Sequence, residues 1–354
     1  MVDTSRVLFR PCRSPCISPP SPFLLAASAH AQLHKLGKKA GLKYFGAATD
    51  SPGQRERAGF ETAYEQYDAI LNNIDEFGQT TPTNGQKWLF TEPERGVFNF
   101  TEGDIPARPW VEEGEWTADE LREIITTHIT EVAGHYKGKC YAWDVVNEAL
   151  NEDGTWRESV FYNVLGEEYI KLAFQVASEV DPDAKLYYND YNLESVGPKS
   201  KAAVEIVKML RDDGIKIDGI GMQAHLIAHQ APSFEDQLAV IDLYAAADVE
   251  VAYTELDVRL ETPTNATNLE WQSNVYRDSV AACVQSEACI GLTLWDFYDP
   301  FSWVPFVFEG EGAALLWFED FETHPAYDAV IEVLKKAGKP SGGSCKSKRR
   351  SLKH

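Results

Sequence analysis

Alternation of short apolar runs with amphipathic helical stretches constrains this chain more than any other feature. Strand-like runs fall at 42–48, 78–82, 140–146, 185–189, 217–223, 249–256 and 290–295. Most are rich in β-branched or aromatic residues, the pattern of parallel strands buried on both faces. Helical periodicity fills the spaces between them. Thr117 and Glu120 stand in capping-box spacing before Leu121, Ile124, Ile125, Ile129, Val132, Ala133 and Tyr136, which share one helical face. A second such face carries Ala203, Ile206, Val207 and Leu210 and stops before Gly214.

Repeated strand–helix units imply an α/β fold with a parallel sheet covered by helices. In most of the chain they recur every 30 to 45 residues, close to the roughly 30 per unit of a closed (β/α)8 TIM barrel. Seven runs are evident and the eighth is absent. The stretch 89–116 holds Thr91-Glu-Pro-Glu-Arg-Gly and a Pro- and Trp-containing segment, but no helix followed by a buried strand. The expected barrel is therefore incomplete, lacking a helix 2/strand 3 segment between about Asp104 and Trp110. Losing a strand exposes two ladder edges or forces the neighbours to close over the gap.

The ends differ from this body. Residues 1–31 form an atypical N-terminal segment: the apolar run 23–28 and Ala29-His30-Ala31 resemble the end of an export leader, but Pro19, Pro20 and Pro22 interrupt it. Residues 32–336 are the expected barrel domain. Residues 337–354 read as a basic, disordered tail. The N-terminal segment carries a net +2 and residues 338–354 a net +6, so the body holds −30 of an overall −22. Such a body repels phosphate backbones and anionic surfaces, which argues against nucleic acid as a partner. No apolar stretch reaches the roughly 18–20 residues of a membrane span, so no integral membrane protein is expected.

Six cysteines are too few for a disulfide scaffold. Cys283 and Cys289 could close a short loop, Cys140 reads as core, and Cys12, Cys16 and Cys345 lie in the atypical ends. None has metal-site spacing, so neither metal nor cofactor is expected. Asn99-Phe-Thr and Asn265-Ala-Thr are glycosylation sequons, a weak sign of secretion.

Two strand ends finish on a glutamate: Tyr141-Ala-Trp-Asp-Val-Val-Asn147-Glu148 and Val251-Ala-Tyr-Thr-Glu255-Leu-Asp257. The carboxyl ends of barrel strands face the active-site mouth. Glycoside hydrolysis needs two such carboxylates, one protonating the leaving oxygen and one attacking the sugar carbon or activating water. Surface glutamates just past strand ends are the plain alternative, and spacing alone does not decide between them.

The motifs go further. WDVVNE at 143–148, YNDYN at 188–192, GIGMQAH at 219–225, TELD at 254–257 and LWDFYDPFSW at 294–303 occur in the order of a fungal member of glycoside hydrolase family 10. The chain resembles that family, whose members are mostly endo-1,4-β-xylanases, from about His34 to Lys336. The resemblance implies that Glu148 is the acid/base and Glu255 the nucleophile of a retaining double displacement. It implies that Asn147 bonds the sugar 2-hydroxyl, that His225 keeps the nucleophile ionised, and that Asp257 supports His225. Asn84 and Lys87 match residues gripping the sugar two places before the cleavage point. Tyr191 matches a platform beyond it, and Trp295 and Trp303 match a wall that excludes bulkier sugars. Gln223 completes the matched set, although Gln223 and Asp257 could simply satisfy buried backbone groups.

Two departures from the family pattern stand out within the body. Gln86 occupies a position where methionine is expected. The stretch around Pro106 to Trp110 replaces a helix and a third strand bearing residues that contact the sugar. The expected protein is a secreted, monomeric endo-1,4-β-xylanase acting on xylan or xylo-oligosaccharides. An inactive or unstable relative that at most binds xylan is the alternative raised by the missing strand.

Overall fold

The computed structural model describes residues 32–50, 64–100 and 110–338. The leader-like segment, Cys12, Cys16, Asp104, Cys345 and the basic tail beyond Gly338 lie outside them.

Helix α1 (Leu33–Lys39) leads into β1 (Tyr44–Thr49), and α2 (Tyr64–Leu71) into β2 (Thr80–Pro82). Single-turn helices α3 (Trp88–Thr91) and α4 (Trp110–Glu113) precede α5 (Ala118–His135) and β3 (Ala142–Asn147). Next come α6 (Val160–Leu165), α7 (Glu168–Val180), β4 (Lys185–Asp190) and α8 (Pro198–Asp212). Strands β5 (Gly219–Met222) and β6 (His225–Ile227) are followed by α9 (Phe234–Ala246) and β7 (Glu250–Glu261). The chain then forms α10 (Ala266–Gln285), β8 (Cys289–Leu294), α11 (Val304–Val307), β9 (Glu311–Gly312) and α12 (Pro325–Ala337).

All seven expected strands are present. They run in the order β2-β1-β8-β7-β5-β4-β3, every neighbouring pair parallel, while β6 and β9 add to the far end of β7. This is the incomplete α/β barrel the sequence implied, with β2 and β3 as unpaired ends among the described residues. No strand forms in the described parts of 89–116. Instead, Trp88 stacks on His128 of α5 at 3.6 Å between ring centroids and leans on Phe161 of α6 at 5.6 Å. Glu92 accepts from His128 Nδ1 at 2.8 Å, and its carbonyl accepts from Trp110 Nε1 at 2.8 Å. The irregular segment is thus an aromatic wedge against the helices on either side of β3. The wedge is imperfect: Thr80 Oγ1, Gln86 Oε1 and Trp88 Nε1 are buried without a hydrogen-bond partner among the described residues. Each such group costs about 1–3 kcal/mol.

The core lies between sheet and helices because each helix buries one stripe. The α5 stripe foreseen from periodicity is buried, and both halves of the Thr117/Glu120 capping box form. At the amino ends of the strands a second cluster, Ala142, Tyr187, Ala252 and Ile290 with Tyr44 and Tyr141, fills the barrel floor. Glycine makes the space: a Cβ on Gly219 would stand 2.3 Å from the Tyr187 ring, and one on Gly291 2.7 Å from Tyr44. Glu250 gathers Tyr141 Oη at 2.7 Å, Tyr187 Oη at 2.9 Å and Lys43 Nζ at 2.9 Å. With the floor plugged, a ligand reaches the barrel from the carboxyl ends. Cys283 and Cys289 form a disulfide joining α10 to β8, whereas Cys140 is a half-buried thiol. Among the described residues, no helix is long and apolar enough to cross a membrane.

Candidate active site

Both carboxylate-bearing strands are bulged. On β3 the register against β4 slips between Asp144 and Val146, just before Glu148. On β7 it slips against β8 between Tyr253 and Leu256, with Glu255 inside the bulge. Extra residues of this kind re-aim a side chain at a strand end. Four non-glycine residues at neighbouring strand ends also take left-handed conformations: Glu148, Asn192, Ala224 and Asp296, with φ of 57°, 54°, 60° and 67°. Such strain costs on the order of 1–3 kcal/mol each and persists only where the surroundings enforce it.

At Glu148 and around Ala224 hydrogen bonds between strand ends hold the backbone in place. The Glu148 N–H donates to Asn189 O at 2.9 Å, Gln223 N–H to Asp190 O at 3.0 Å, and Glu255 N–H to Gln223 O at 3.0 Å. The side chains continue the chain of contacts. Gln223 Nε2 lies 3.1 Å from both Glu148 Oε1 and Asn147 Oδ1. Asn189 Nδ2 donates to Asn147 Oδ1 at 2.9 Å and to Glu255 Oε1 at 2.8 Å. On the far side of Glu255, His225 Nε2 lies 3.3 Å from Oε2, while its Nδ1 lies 2.8 Å from Asp257 Oδ2. Trp303 Nε1 donates to that same Asp257 oxygen at 2.7 Å.

This row has a clear electrostatic sense. Burial by itself would depress the His225 imidazole, but Asp257 and then Glu255 outweigh it and push His225 up to about 10. His225 is therefore a cation at neutral pH, wedged between two carboxylates. Arg157 Nη1 donates to Glu148 Oε2 at 2.7 Å from the loop after β3.

Glu148, Glu255, Gln223, His225, Tyr191, Lys87, Trp295 and Trp303 line one cleft of about 820 Å³. Asn147 and Asp257 stand behind it, joined to its lining by the bonds above. Asn84 is not part of that lining: its Nδ2 donates to Asp50 Oδ2 at 2.8 Å. The Trp303 and Trp295 rings meet His225 edge-on, with centroids 4.9 Å and 6.3 Å away. Beneath Tyr191, Lys199 Nζ sits 3.4 Å from the ring centroid and pairs with Asp190 Oδ1 at 3.0 Å. Asn265 caps α10, its Oδ1 accepting from the Thr267 and Asn268 N–H groups. Asn99 is half-buried, and its N–H donates to Thr91 O at 2.9 Å.

Sequence reasoning missed Asn189, Arg157, Lys199 and Glu194. Asn189 had a legible signal, a polar residue closing the apolar run of β4. Arg157 and Glu194 sit in loops, where no periodicity marks them, and Lys199 in the first turn of α8 falls outside the apolar stripe read from that helix.

Comparison with known proteins gives the family. The model of glycosyl hydrolase family 10 matches residues 105–333. Endo-1,4-beta-xylanase A of Humicola insolens is 61% identical over 341 residues, covering 90% of this chain and 91% of that protein. The solved endo-1,4-beta-xylanase XylE of Penicillium canescens superposes with a TM-score of 0.80 at 40% identity, covering 88% of this chain and 99% of that one. A family 10 xylanase of Bispora sp. MEY-1, solved with xylobiose, gives a TM-score of 0.77 at 37% identity, covering 85% and 99%. On sequence and fold alike, the chain belongs to glycosyl hydrolase family 10.

Proposed function

We propose that this protein is an endo-1,4-β-xylanase that hydrolyses internal β-1,4 bonds of xylan with net retention. One observation carries the reading: Glu148 and Glu255 open into a single cleft, Glu255 buried among the strand ends and Glu148 more open, with 31% of its side chain exposed against 11%. Glu255 faces the Asn189 amide and the His225 cation, which hold a carboxylate charged, as a nucleophile requires. Glu148 faces the open cleft between the Gln223 amide and the Arg157 guanidinium, in the position of a proton donor to the leaving oxygen.

In the first step Glu255 attacks the anomeric carbon while Glu148 gives its proton to the departing sugar. In the second, Glu148 takes a proton from water, which displaces Glu255 and restores the starting configuration. Asn147, held by Gln223 and Asn189, presents its amide to the 2-hydroxyl of the reacting sugar. Lys87 and Asn84 grip the sugars before the cleavage point, and Tyr191 carries those beyond it. Trp295 and Trp303 close the wall against sugars with a larger C5 substituent, so xylan is preferred to β-glucan. The catalytic body is 32–336, the flanking ends take no part, and the protein acts as an extracellular monomer.

A second reading, an inactive xylan-binding relative, is favoured by the unpaired ends β2 and β3. Reducing-end release from xylan separates the two, with Glu255→Ala as the blank and barley β-glucan as the competing substrate. Release above the blank, with the β-anomer first by proton NMR, supports the retaining enzyme. A folded protein that binds xylan without release supports the second reading.

A further inference from the structure

We propose that Glu194 is a positioning residue for this site: its carboxylate clamps the left-handed Ala224 and thereby sets the reach of both Gln223 and His225. The inference rests on the hydrolase reading above. Glu194 lies in the loop after β4, and Ala224 in the two-residue break between β5 and β6. Glu194 is 2% exposed and Ala224 wholly buried. The Ala224 N–H donates to Glu194 Oε1 at 2.7 Å, while φ at Ala224 is 60°.

The position of that turn explains why the clamp matters. Residue 223 points toward Glu148 and Asn147, whereas residue 225 points toward Glu255 and Asp257. An alanine has no intrinsic preference for left-handed backbone and loses about 1–2 kcal/mol there. The neighbouring ladder bonds, Glu255 N–H to Gln223 O and Asp257 N–H to Ala224 O, tie the turn to β7, and Gln223 N–H to Asp190 O ties its start to β4. Glu194 holds the N–H of the left-handed residue itself. A rotation of the Ala224 peptide would swing the Gln223 amide and the His225 ring in opposite senses, misplacing the groups around both carboxylates at once. Misplacement on the order of 1 Å is enough to cost about 10²-fold in rate.

The charged and titratable groups around Glu194 are few. His225 and Lys199 lie near it as cations, while Tyr244 and Tyr253 present phenols. Tyr244 donates to Leu193 O and Tyr253 to Gln237 Oε1, so neither hydroxyl is spent on the clamp. Burial pushes Glu194 up to about 7, and the backbone N–H groups of Glu194 and Ala224 pull it back. A buried acid held this way is costly for a surface loop, which favours a task for it at the site.

The test compares Glu194→Ala, Glu194→Gln and the double variant Glu194→Ala/Ala224→Gly with wild type on xylohexaose. Glu76→Ala serves as control, because Glu76 is equally buried but bonds Tyr327 far along the chain. Glu194→Ala is expected to lose at least about 30-fold in kcat with KM within threefold, the signature of misplaced reacting groups. Glu194→Gln keeps an oxygen for the Ala224 N–H and should recover to within about fivefold of wild type. Glycine adopts positive φ freely, so the double variant should regain part of the loss. Glu76→Ala should lower Tm and leave kcat per folded molecule within twofold.

A kcat for Glu194→Ala within threefold of wild type overturns the clamp, as does a Glu194→Gln no better than alanine. If Glu194→Ala does not fold, the glutamine variant and the double variant carry the same comparison. If wild type releases no reducing ends, the hydrolase reading fails. The clamp is then read from the His225 ring nitrogens by NMR, which must shift in Glu194→Ala and return in Glu194→Gln. An unchanged His225 spectrum overturns it.

Discussion

His225 Nδ1 and Asp257 Oδ2 stand 2.8 Å apart, and Trp303 Nε1 reaches the same oxygen at 2.7 Å. One buried carboxylate therefore fixes a cation and an aromatic wall together. Asp257→Asn should lower kcat by about 10²-fold, because an amide cannot hold the imidazolium that faces Glu255. His225 is raised from 6.5 to about 10 on folding. A raised histidine stabilises fully below its unfolded value and loses that contribution as pH rises through its folded one. Denaturant melts of wild type and Asp257→Asn should therefore differ most below about pH 6.5 and converge toward pH 10. A gap that widens with pH would contradict the pairing.

Asn189 joins Asn147 to Glu255 through one amide nitrogen, and its Oδ1 accepts from Thr254 Oγ1 at 2.6 Å. Asn189→Ala should reduce kcat by about 10- to 100-fold with little change in KM. Asn189→Asp should be worse at neutral pH, since it brings a second carboxylate beside Glu255, and like charges disfavour ionisation. Its activity profile should be displaced to higher pH on the acid side. Steady-state kinetics from pH 4 to 9 would check the order of the two variants.

Lys199 is almost wholly buried between Asp190 and the underside of Tyr191. Burial raises Asp190 to about 6, with Lys199 the main influence holding it down. Lys199→Met removes that influence, so the unpaired acid costs more as pH rises above its titration. Breaking a buried pair costs about 3–5 kcal/mol. The loss of Tm should be larger at pH 8 than at pH 5. Tyr191 also loses its support, so KM for xylohexaose should rise severalfold more than kcat falls.

Gln86 is 4% exposed, and its Oε1 has no partner among the described residues. Gln86→Met replaces a buried, half-satisfied amide by an apolar chain of similar length. Stability should increase by about 1–2 kcal/mol, measured by urea titration, with activity unchanged. An unchanged or lower midpoint would mean that the hydrogen bond Gln86 shares with Tyr136 outweighs the orphaned oxygen.

Much of this was legible beforehand because the signals are local. Apolar runs with buried alternation on neither face marked all seven strands, and the α5 stripe and its capping box followed from spacing within a few residues. The break in that rhythm at 89–116 pointed to a missing unit, and among the described residues β2 and β3 are the unpaired ends of the sheet. The two glutamates were visible for the same reason, each closing an apolar run. Loop residues were not. Nothing in the linear order of Glu194 or Arg157 marks the strand end each approaches.

The sequence by itself determined the layered α/β order, the family and the two carboxylates, since each rests on contacts or patterns along a short stretch. Tertiary structure alone decided how those carboxylates differ. Bulges on β3 and β7 aim them into one cleft, and His225, Asn189 and Arg157 arrive from separate strands and loops to bond them. It also decided how the irregular stretch packs, with Trp88 stacked on His128 and against Phe161. Electrostatics and packing act through space, between residues whose separation along the chain carries no trace of the distance across the fold.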